Sequence, residues 1–599
     1  MENDRLQERR VDVLFSVVPG VTMWRRFPII EPPFGPSMVV GALRNARFSV
    51  EYVDLNLQLN VWQQATMLLS PDTVRFLQDW ERVAANLDKL PADLDALLDR
   101  FIEFLRPLTF RHAAFSLDRI TTLIEIFEAE YGFAIVFADR FKRHFNCPIS
   151  MGGTALGKVG RHELIENLAT AKRKFADYFF FGEGSVSFPL FLQSLDGVDP
   201  TLTRLGEHLR TTYLTAYRWN DDFTATPLHG SIDPVDHTES SNTHDRVELA
   251  IIRIPPSFSI ANAEHYAVRF DRIFPFVSPE PWMARPITLY PFKFMHGCSH
   301  RCAFCKEASY RFTARPPAEV VEDLARLYET EGIDSFRFFN AQINISNRYV
   351  ERFCAEIRRR NLKILFSDSS SLRDLSRDAC QNLRDAGCIK LWVGLESPIP
   401  RILKLINKDL ELDDALVSLR NIHEAGIWVG MNFILGFPGE SDAEFEQICQ
   451  FIRDHGETID CWNFSPLEVY TGTPMHRNPE QFGIVLEHEY SGLRRLNGHA
   501  FSEIGGLDWE ARLAQVKKRE EICADLIRSS VHRFYVNDHL VFSLFREFGE
   551  KHRVRESLRR YVESLQKAIP LKDAGKWLSA KKVLDFDQDR FLRAFQGPA

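Results

Sequence analysis

Excess positive charge is absent from this sequence. Among 599 residues, 74 Lys and Arg face 82 Asp and Glu, a formal net charge of −8. Without a basic surplus to neutralise phosphates, nucleic acid is not expected as the main partner. No uninterrupted apolar run reaches 18 residues, so no membrane span is expected. The start, Met1-Glu-Asn-Asp-Arg5, is polar and reads as neither signal peptide nor membrane helix. Ten cysteines in so long a chain do not make a disulfide scaffold, which points to the reducing cytoplasm. Apart from Cys302–Cys305 no C-x2-C pair exists, which argues against a zinc site built from paired spacings. A hydrophobic fraction of 45% and a charged fraction of 26% describe an ordinary globular protein. The length predicts roughly three to four domains.

Three of the cysteines are concentrated in one place. Cys298, Cys302 and Cys305 lie in Met295-His-Gly-Cys-Ser-His-Arg-Cys-Ala-Phe-Cys-Lys306, spaced C-x3-C-x2-C, directly after the apolar segment Pro286–Met295. Three thiolates on one loop reach three corners of a 4Fe–4S cube and leave the fourth iron open to a substrate or cofactor. Cys380 and Cys388, the other close pair, read as helix and strand core positions.

The pattern around this loop is α/β. Residues 1–230 read as a Rossmann-like, doubly wound parallel sheet, with a helical insertion at about 57–105. Its strands are expected at Val11–Val18, Ser49–Asp54, Ala113–Ser116, Pro148–Gly153 and Tyr178–Gly184, with a helix from about Ser37 to Arg47. Gly152-Gly153 and Gly182-Glu183-Gly184 end two strands, where close backbone approach to a ligand is expected. A Pro-rich linker, 231–279, follows. Residues 280–476 repeat a β/α rhythm, expected to form a partial (β/α)6 barrel. Its strands are placed at Pro286–Met295, Ser335–Asn340, Lys363–Ser367, Ile389–Gly394, Ile427–Leu435 and Cys461–Tyr470. Chemistry in such barrels sits at the C-terminal strand ends, and the cysteine loop follows the first strand. Other strand ends carry Asn340, Gln342, Asn344, Ser367-Asp368, Glu396-Ser397, Asn432 and Glu440; taken singly, Ser367-Asp368 and Glu440-Ser441-Asp442 read as helix caps. Residues 477–599 are mostly helical, with a charge run Arg553–Arg560 and aromatics such as Phe542, Phe545 and Phe548, and are expected to cap the barrel as a lid.

The cysteine motif with Phe304, Val393-Gly-Leu-Glu-Ser397 and Asn432-Phe-Ile-Leu-Gly-Phe-Pro-Gly-Glu440 resemble the radical S-adenosylmethionine (SAM) enzymes. Pro32-Pro-Phe-Gly35, Ser116-Leu117, Met151-Gly-Gly153 and Gly182-Glu-Gly184 resemble the cobalamin-binding domain fused ahead of such barrels. The resemblance spans about Val11 to Met475 and implies the cobalamin-dependent (cobalamin-binding) radical SAM enzyme family. It implies three cofactors: a 4Fe–4S cluster on Cys298, Cys302 and Cys305; SAM on Phe304, Asn340, Gln342, Ser367, Gly394, Glu396, Ser397, Asn432 and Gly436; and cobalamin on Pro33, Gly35, Ser116, Leu117, Gly152, Gly153, Thr154, Gly182, Glu183 and Gly184. The D-x-H-x-x-G motif that supplies a histidine ligand to cobalt is missing. His112, just before the third expected strand, reads as a structural histidine.

The expected function is C-methylation at an unactivated carbon of a peptide or other natural product. The reduced cluster cleaves SAM, the resulting 5′-deoxyadenosyl radical takes a hydrogen atom, and methylcobalamin supplies the methyl group. A rearrangement, cyclisation or oxidation without methyl transfer is the alternative. A methylthiotransferase would need a second cysteine cluster, and only Cys147 precedes Cys298. A non-enzymatic iron–sulfur or cobalamin sensor would want a signalling or nucleic-acid module. Expected partners are a small-molecule or peptide substrate and a one-electron reductant such as flavodoxin or ferredoxin, with neither nucleic acid nor membrane.

Overall fold

The computed structural model describes residues 6–19, 32–63, 69–117, 124–153, 173–181, 184–195, 215–220, 225–227, 266–273, 279–470, 472–487, 499–527 and 538–568. The chain divides into two compact units, the second beginning at Tyr266.

The first unit is built on β1 (Arg9–Val17), β2 (Val50–Asp54), β3 (Leu108–Ser116), β4 (Ile149–Gly152), β5 (Tyr178–Phe181), β6 (Thr215–Trp219) and β7 (Ala225–Pro227). They run in the order β2-β1-β3-β4-β5-β6-β7; the first five are parallel, and β6 and β7 add antiparallel strands at one edge. Alternation along β1 explains the doubly wound layering. Val13, Phe15 and Val17 join one buried cluster with Val40, Leu43, Phe188 and Phe191. Leu14 joins another on the opposite face, with Phe101, Phe133, Phe137 and Phe141. Both faces are therefore covered, as a parallel sheet requires. The helices α1 (Phe34–Asn45) and α7 (Gly184–Leu195) supply the first cover. The second comes from α2 (Leu55–Gln63), α3 (Pro71–Gln78), α4 (Trp80–Ala85), α5 (Ala92–Leu105) and α6 (Ile124–Phe145). These helices pack as core on that face. Strand order reverses between β1 and β3, and ligands of such sheets sit at that switch point, beyond the C-terminal strand ends.

The second unit carries six parallel strands: β8 (Tyr290–Phe292), β11 (Ser335–Phe338), β12 (Leu365–Ser370), β13 (Cys388–Glu396), β14 (Trp428–Leu435) and β15 (Cys461–Pro466). A short antiparallel pair, β9 (Met295–His296) and β10 (Thr313–Ala314), lies beside β8 in sequence. The order β15-β14-β13-β12-β11-β8 follows the chain one strand at a time, which is the topology of a partial barrel. Between the strands lie α8 (Pro317–Glu331), α9 (Asn347–Arg359), α10 (Arg377–Asp385), α11 (Pro400–Leu405), α12 (Leu412–Glu424) and α13 (Asp442–His455). Phe336, Phe338 and Phe366 pack against Phe353 of α9 or each other, so alternate residues of these strands face the opposite, concave side. Ser441 caps α13 in a reciprocal capping box with Glu444. Ser367 and Asp368 are not caps: β12 continues through Ser370, because its register against β13 holds to Val393.

The described C-terminal helices divide between the two ends of this barrel. The helix α14 (Trp509–Leu526) lies at the C-terminal strand ends: Arg512 donates to the carbonyls of Gly436 (3.3 Å) and Leu467 (3.2 Å). The helices α15 (Asp538–Phe548) and α16 (Lys551–Ala568) close the other end. There Asp538 pairs with the fully buried Lys390, Arg546 pairs with Asp334 at the start of β11, and Lys551 pairs with Asp460 at 2.8 Å just before β15. Of these three helices, α15 and α16 therefore plug the barrel floor, and α14 alone lies at the C-terminal strand ends. No helix among the described residues is long and apolar enough to cross a membrane.

Candidate active site

The chain leaves β8, makes the short β9 segment, and turns at Gly297, whose φ of +67° and closeness to the Arg311 carbonyl leave no room for a side chain. The cysteine loop follows. Cys298 and Cys302 are buried and Cys305 is half-buried. The loop is fastened from several directions. Ala303 N donates to the Ile406 carbonyl (2.8 Å), Met475 N to the Ala303 carbonyl (3.2 Å), and Asn407 Nδ2 to the Arg301 carbonyl (2.9 Å). Gln342 Nε2 donates to Ser299 Oγ (2.8 Å), and His300 N approaches Cys298 Sγ at 3.4 Å. The backbone is thus fixed before any metal arrives, and one thiol already accepts an N–H.

Burial pushes all three thiols up, Cys305 to about 11; the Lys408 ammonium acts in the opposite sense on Cys298 and Cys302. Among the described residues no three ligating side chains converge on a single-ion position. A four-iron cube takes one thiolate on each of three irons, so its ligands stand wider apart than those of one ion. The donor set, three soft thiols on a braced loop, fits a cube and does not fit a closed zinc site.

The strand ends around the loop sort the expected SAM residues into distinct roles. Asn340 is a brace: its Oδ1 accepts from Phe294 N and Met295 N, both at 3.1 Å, and its Nδ2 donates to Asp368 Oδ2 at 2.7 Å. Burial raises Asp368 to about 7 although three hydrogen bonds act against the shift. Glu396 sits in the left-handed region (φ +68°) at a register shift between β13 and β14. Bulges of this kind re-aim a side chain, and such strain gathers at functional positions. Its Oε1 accepts from Lys408 Nζ at 2.9 Å, and both groups crowd Gly394. Burial alone would lower the Lys408 ammonium; the Glu396 carboxylate and then Cys302 outweigh it, and its pKa is raised. Ser397 Oγ accepts from Ile399 N, and Asn432 Oδ1 accepts from Asn463 Nδ2 at 3.1 Å. Gly436 lies against Val516 of α14. Phe304 is half-buried on the cysteine loop. Ser367 Oγ is buried without a hydrogen-bond partner among the described residues. Phe304, Gln342, Gly394, Glu396, Ser397, Asn432 and Gly436 thus all lie on the cysteine loop or in the upper layer of the barrel; Ser367 lies lower, within β12.

Sequence reasoning missed Lys408, Arg512 and Arg519. Arg519 pairs with Glu440, which burial nevertheless raises to about 7. A signal for Lys408 existed in Ile406-Asn-Lys-Asp409, where Asn407 and Asp409 both take positive φ. Nothing local marked the two arginines, whose contacts span 45 to 79 residues.

In the first unit, Pro33 caps α1 and accepts from Ser37, and Gly35 lies inside that helix. Ser116 and Leu117 end β3, where Leu117 N donates to the Gly152 carbonyl at 2.9 Å. Gly153 (φ +108°) abuts the Leu117 backbone so closely that a Cβ would collide with it. Gly152 and Gly184 meet only ordinary van der Waals neighbours. Thr154, Gly182 and Glu183 lie outside the described residues. His112 is inside β3 rather than before it. It is buried, meets Ser150 Oγ at 2.9 Å, and desolvation depresses its pKa to about 4. It is a neutral core histidine.

The radical SAM superfamily model matches residues 292–452, the stretch from β8 to α13 that carries the cysteine loop. Residues 292–452 form a radical SAM domain. Among curated proteins, an uncharacterized methyltransferase of Pyrococcus horikoshii is 25% identical over 180 residues, 30% of this chain and 39% of that protein. An anaerobic magnesium-protoporphyrin IX monomethyl ester cyclase of Rubrivivax gelatinosus is 24% identical over 198 residues, 32% of this chain and 35% of that one. The chain thus spans little more than a third of these relatives. Among solved structures, the radical SAM methyltransferase TsrM of Kitasatospora setae, with cobalamin and a [4Fe-4S] cluster bound, matches with a TM-score of 0.58 at 15% identity, covering 94% of this chain and all of that one. The cobalamin-dependent radical enzyme OxsB matches at 0.54 and 11% identity, covering 98% and 76%. The radical SAM domain therefore sits within a chain that shares the fold of both proteins along nearly its whole length.

Proposed function

We propose that this chain is a cobalamin-dependent radical SAM C-methyltransferase acting on an unactivated carbon of a peptide or other natural product. The observation that carries the reading is the cysteine loop, braced by Ile406, Asn407 and Met475 at the C-terminal end of the barrel's first strand. Bound there and on the first unit, the cluster, SAM and cobalamin would supply one-electron chemistry and a methyl group. The protein's part is positioning. Cys298, Cys302 and Cys305 would hold the cluster. Phe304, Gln342, Gly394, Glu396, Ser397, Asn432 and Gly436 would hold SAM, with Asn340 fixing the strand end behind them. The Lys408 ammonium would neutralise charge beside the thiolates. The fold shared with TsrM and OxsB and the β1/β3 switch point support cobalamin in the first unit, on Pro33, Gly35, Ser116, Leu117 and the glycine segments around 152–154 and 182–184. Because the sequence lacks the D-x-H-x-x-G motif, no histidine nitrogen is expected on the cobalt. A one-electron reductant such as flavodoxin or ferredoxin and a cytoplasmic location complete the proposal.

The cyclase relative favours a second reading, in which the same radical chemistry closes a ring or oxidises its substrate without methyl transfer. The test is anaerobic reconstitution with iron, sulfide and hydroxocobalamin, followed by reduction with SAM. Formation of 5′-deoxyadenosine, lost in each Cys→Ala variant at the three positions, supports the radical chemistry. Its absence from a protein with a full cluster overturns it. Protein that retains no corrinoid under any loading condition leaves the second reading in place of methyl transfer.

A further inference from the structure

The concave face of the barrel has a chemistry that the cofactor residues do not use. Register fixes its layers. Phe338 pairs with Phe292, and Phe339 N donates to the Phe292 carbonyl, so Lys293 stands beside Phe339. Arg337 pairs with Ser367, so Phe339 continues beside Ser369; Ser369 pairs with Trp392, and Trp392 with Gly430. One layer therefore reads Lys293, Phe339, Ser369, Trp392, Gly430. It lies one layer below Gly394 and Asn432.

The two aromatic residues are built alike. Arg337 sits 4.3 Å from the Phe339 ring centroid, and the Lys390 ammonium 4.4 Å from that of Trp392; each cation comes from two residues earlier on the same strand. Each backs one face of its ring. Trp392 also lies against Gly430, where any side chain would displace it. Phe339 nevertheless remains 41% exposed, unusual for an aromatic residue on the concave side of a barrel. Between the two rings is a small residue, Ser369, with Ser367 Oγ below, buried and without a hydrogen-bond partner among the described residues. Their strands are two apart, about 9.5 Å at the backbone. A ring stacked between two others needs about 7 Å, twice the ~3.5 Å contact distance. Lys293, half-buried at one side, has no hydrogen bond or ion pair among the described residues. The deeper Lys390 is paired with Asp538, which Arg337 also faces, and Lys293 is the cation that belongs to this layer itself.

We infer that this layer is the substrate subsite and that it takes a flat, anionic substrate: an aromatic carboxylate, its ring between Phe339 and Trp392 and its carboxylate on Lys293. The unpartnered Ser367 hydroxyl supplies a polar floor for a ring heteroatom. The inference rests on the radical SAM reading of the barrel, because the layer is a substrate site only if the loop above it does chemistry.

The test is calorimetric binding to the reconstituted full-length protein, with 2-naphthoate, naphthalene-2-carboxamide and cyclohexanecarboxylate as probes. Naphthoate is expected to bind at least tenfold more tightly than either of the others. Lys293→Met should bring naphthoate down to the carboxamide level and leave the carboxamide unchanged, while Phe339→Ala weakens both aromatic probes. Lys293→Gln, checked by intact cluster absorption, serves if the first variant folds poorly. Naphthoate affinity unchanged in a lysine variant, or cyclohexanecarboxylate binding as well as naphthoate, overturns the subsite. 5′-Deoxyadenosine formation is measured in the same preparations. If naphthoate fails to bind while cleavage proceeds, the subsite alone falls. If SAM is not cleaved while naphthoate binds as expected, the catalytic reading falls and the slot remains a binding site.

Discussion

Glu396 shows how one residue carries several constraints. Its carboxylate is held at a strained strand end and paired with a lysine that also faces Cys302 and Cys305. Glu396→Ala removes the partner of a mostly buried ammonium, a loss on the order of 3 kcal/mol. The Glu396→Ala/Lys408→Met double variant should recover much of it, because no lone charge is left. Chemical denaturation of the four proteins gives the coupling, and simple additivity would refute it. SAM affinity is expected to drop about tenfold, about 1.4 kcal/mol, in both Glu396 variants. Glu396 was legible in the sequence as a strand-end carboxylate; that its partner is a side chain twelve residues on was not, because the 406–409 loop is shaped by the tertiary fold. Asp368 gives a pH signature. Its pKa rises from 3.8 unfolded to about 7 folded, because burial outweighs its hydrogen bonds from Asn340 and Ser369. A raised pKa stabilises fully below the unfolded value, and that contribution is lost as pH rises through about 7. Relative to Asp368→Asn, the parent should therefore lose stability between about pH 4 and 7 and level off above. Glu440, which titrates in the same window, is common to both proteins and cancels. A pH-independent difference in unfolding free energy would count against the assignment.

At the scale of elements, all six barrel strands and the five parallel strands of the first unit were visible as apolar runs bounded by polar turns. Their ends were less so. The first barrel strand shrinks from the expected Pro286–Met295 to Tyr290–Phe292, because β8 is an edge strand paired only with β11. The third strand of the first unit grows backwards to Leu108, since the polar Thr109 and Arg111 pair with β1 while pointing outward. His112 was placed outside the strand for the same reason. The helix α14 could not be assigned from sequence: its work is done by Arg512 and Arg519, two turns apart, against carbonyls and a carboxylate of distant loops. Arg512 is fully buried, 3.9 Å from the Phe501 ring and 4.9 Å from the Trp509 ring. Arg512→Leu frees the Gly436 and Leu467 carbonyls and should raise the KM for SAM severalfold, with the cluster retained. Arg512→Lys should restore only part, because one ammonium does not reproduce the planar two-carbonyl bridge. An unaltered KM for SAM in a folded Arg512→Leu protein would show that the clamp does not position the loop.

Over the whole molecule, the cysteine loop and the glycine-rich strand ends fall in different compact units, each with its own buried core. A fragment covering 266–586 is expected to hold the cluster without binding corrinoid, and one covering 1–265 to show the reverse preference. Iron analysis and visible spectra of the two fragments check this. Corrinoid retained by the barrel fragment would move the proposed cobalamin site. In the full-length protein Gly153→Val should disturb the β3–β4 edge whether or not a ligand binds there, since the obstruction is the Leu117 backbone itself.

The floor of the barrel imposes an order on biosynthesis. Lys390 and Asp460 are made long before Asp538 and Lys551, the residues that neutralise them. Until the ribosome has released α15 and α16, the nascent barrel holds buried charges without their counterparts and an open floor. Stable closure therefore waits until α15 and α16 have been made. Iron loading of the cysteine loop likewise waits for Met475 and for the clamp from Arg512, both made long after the loop itself.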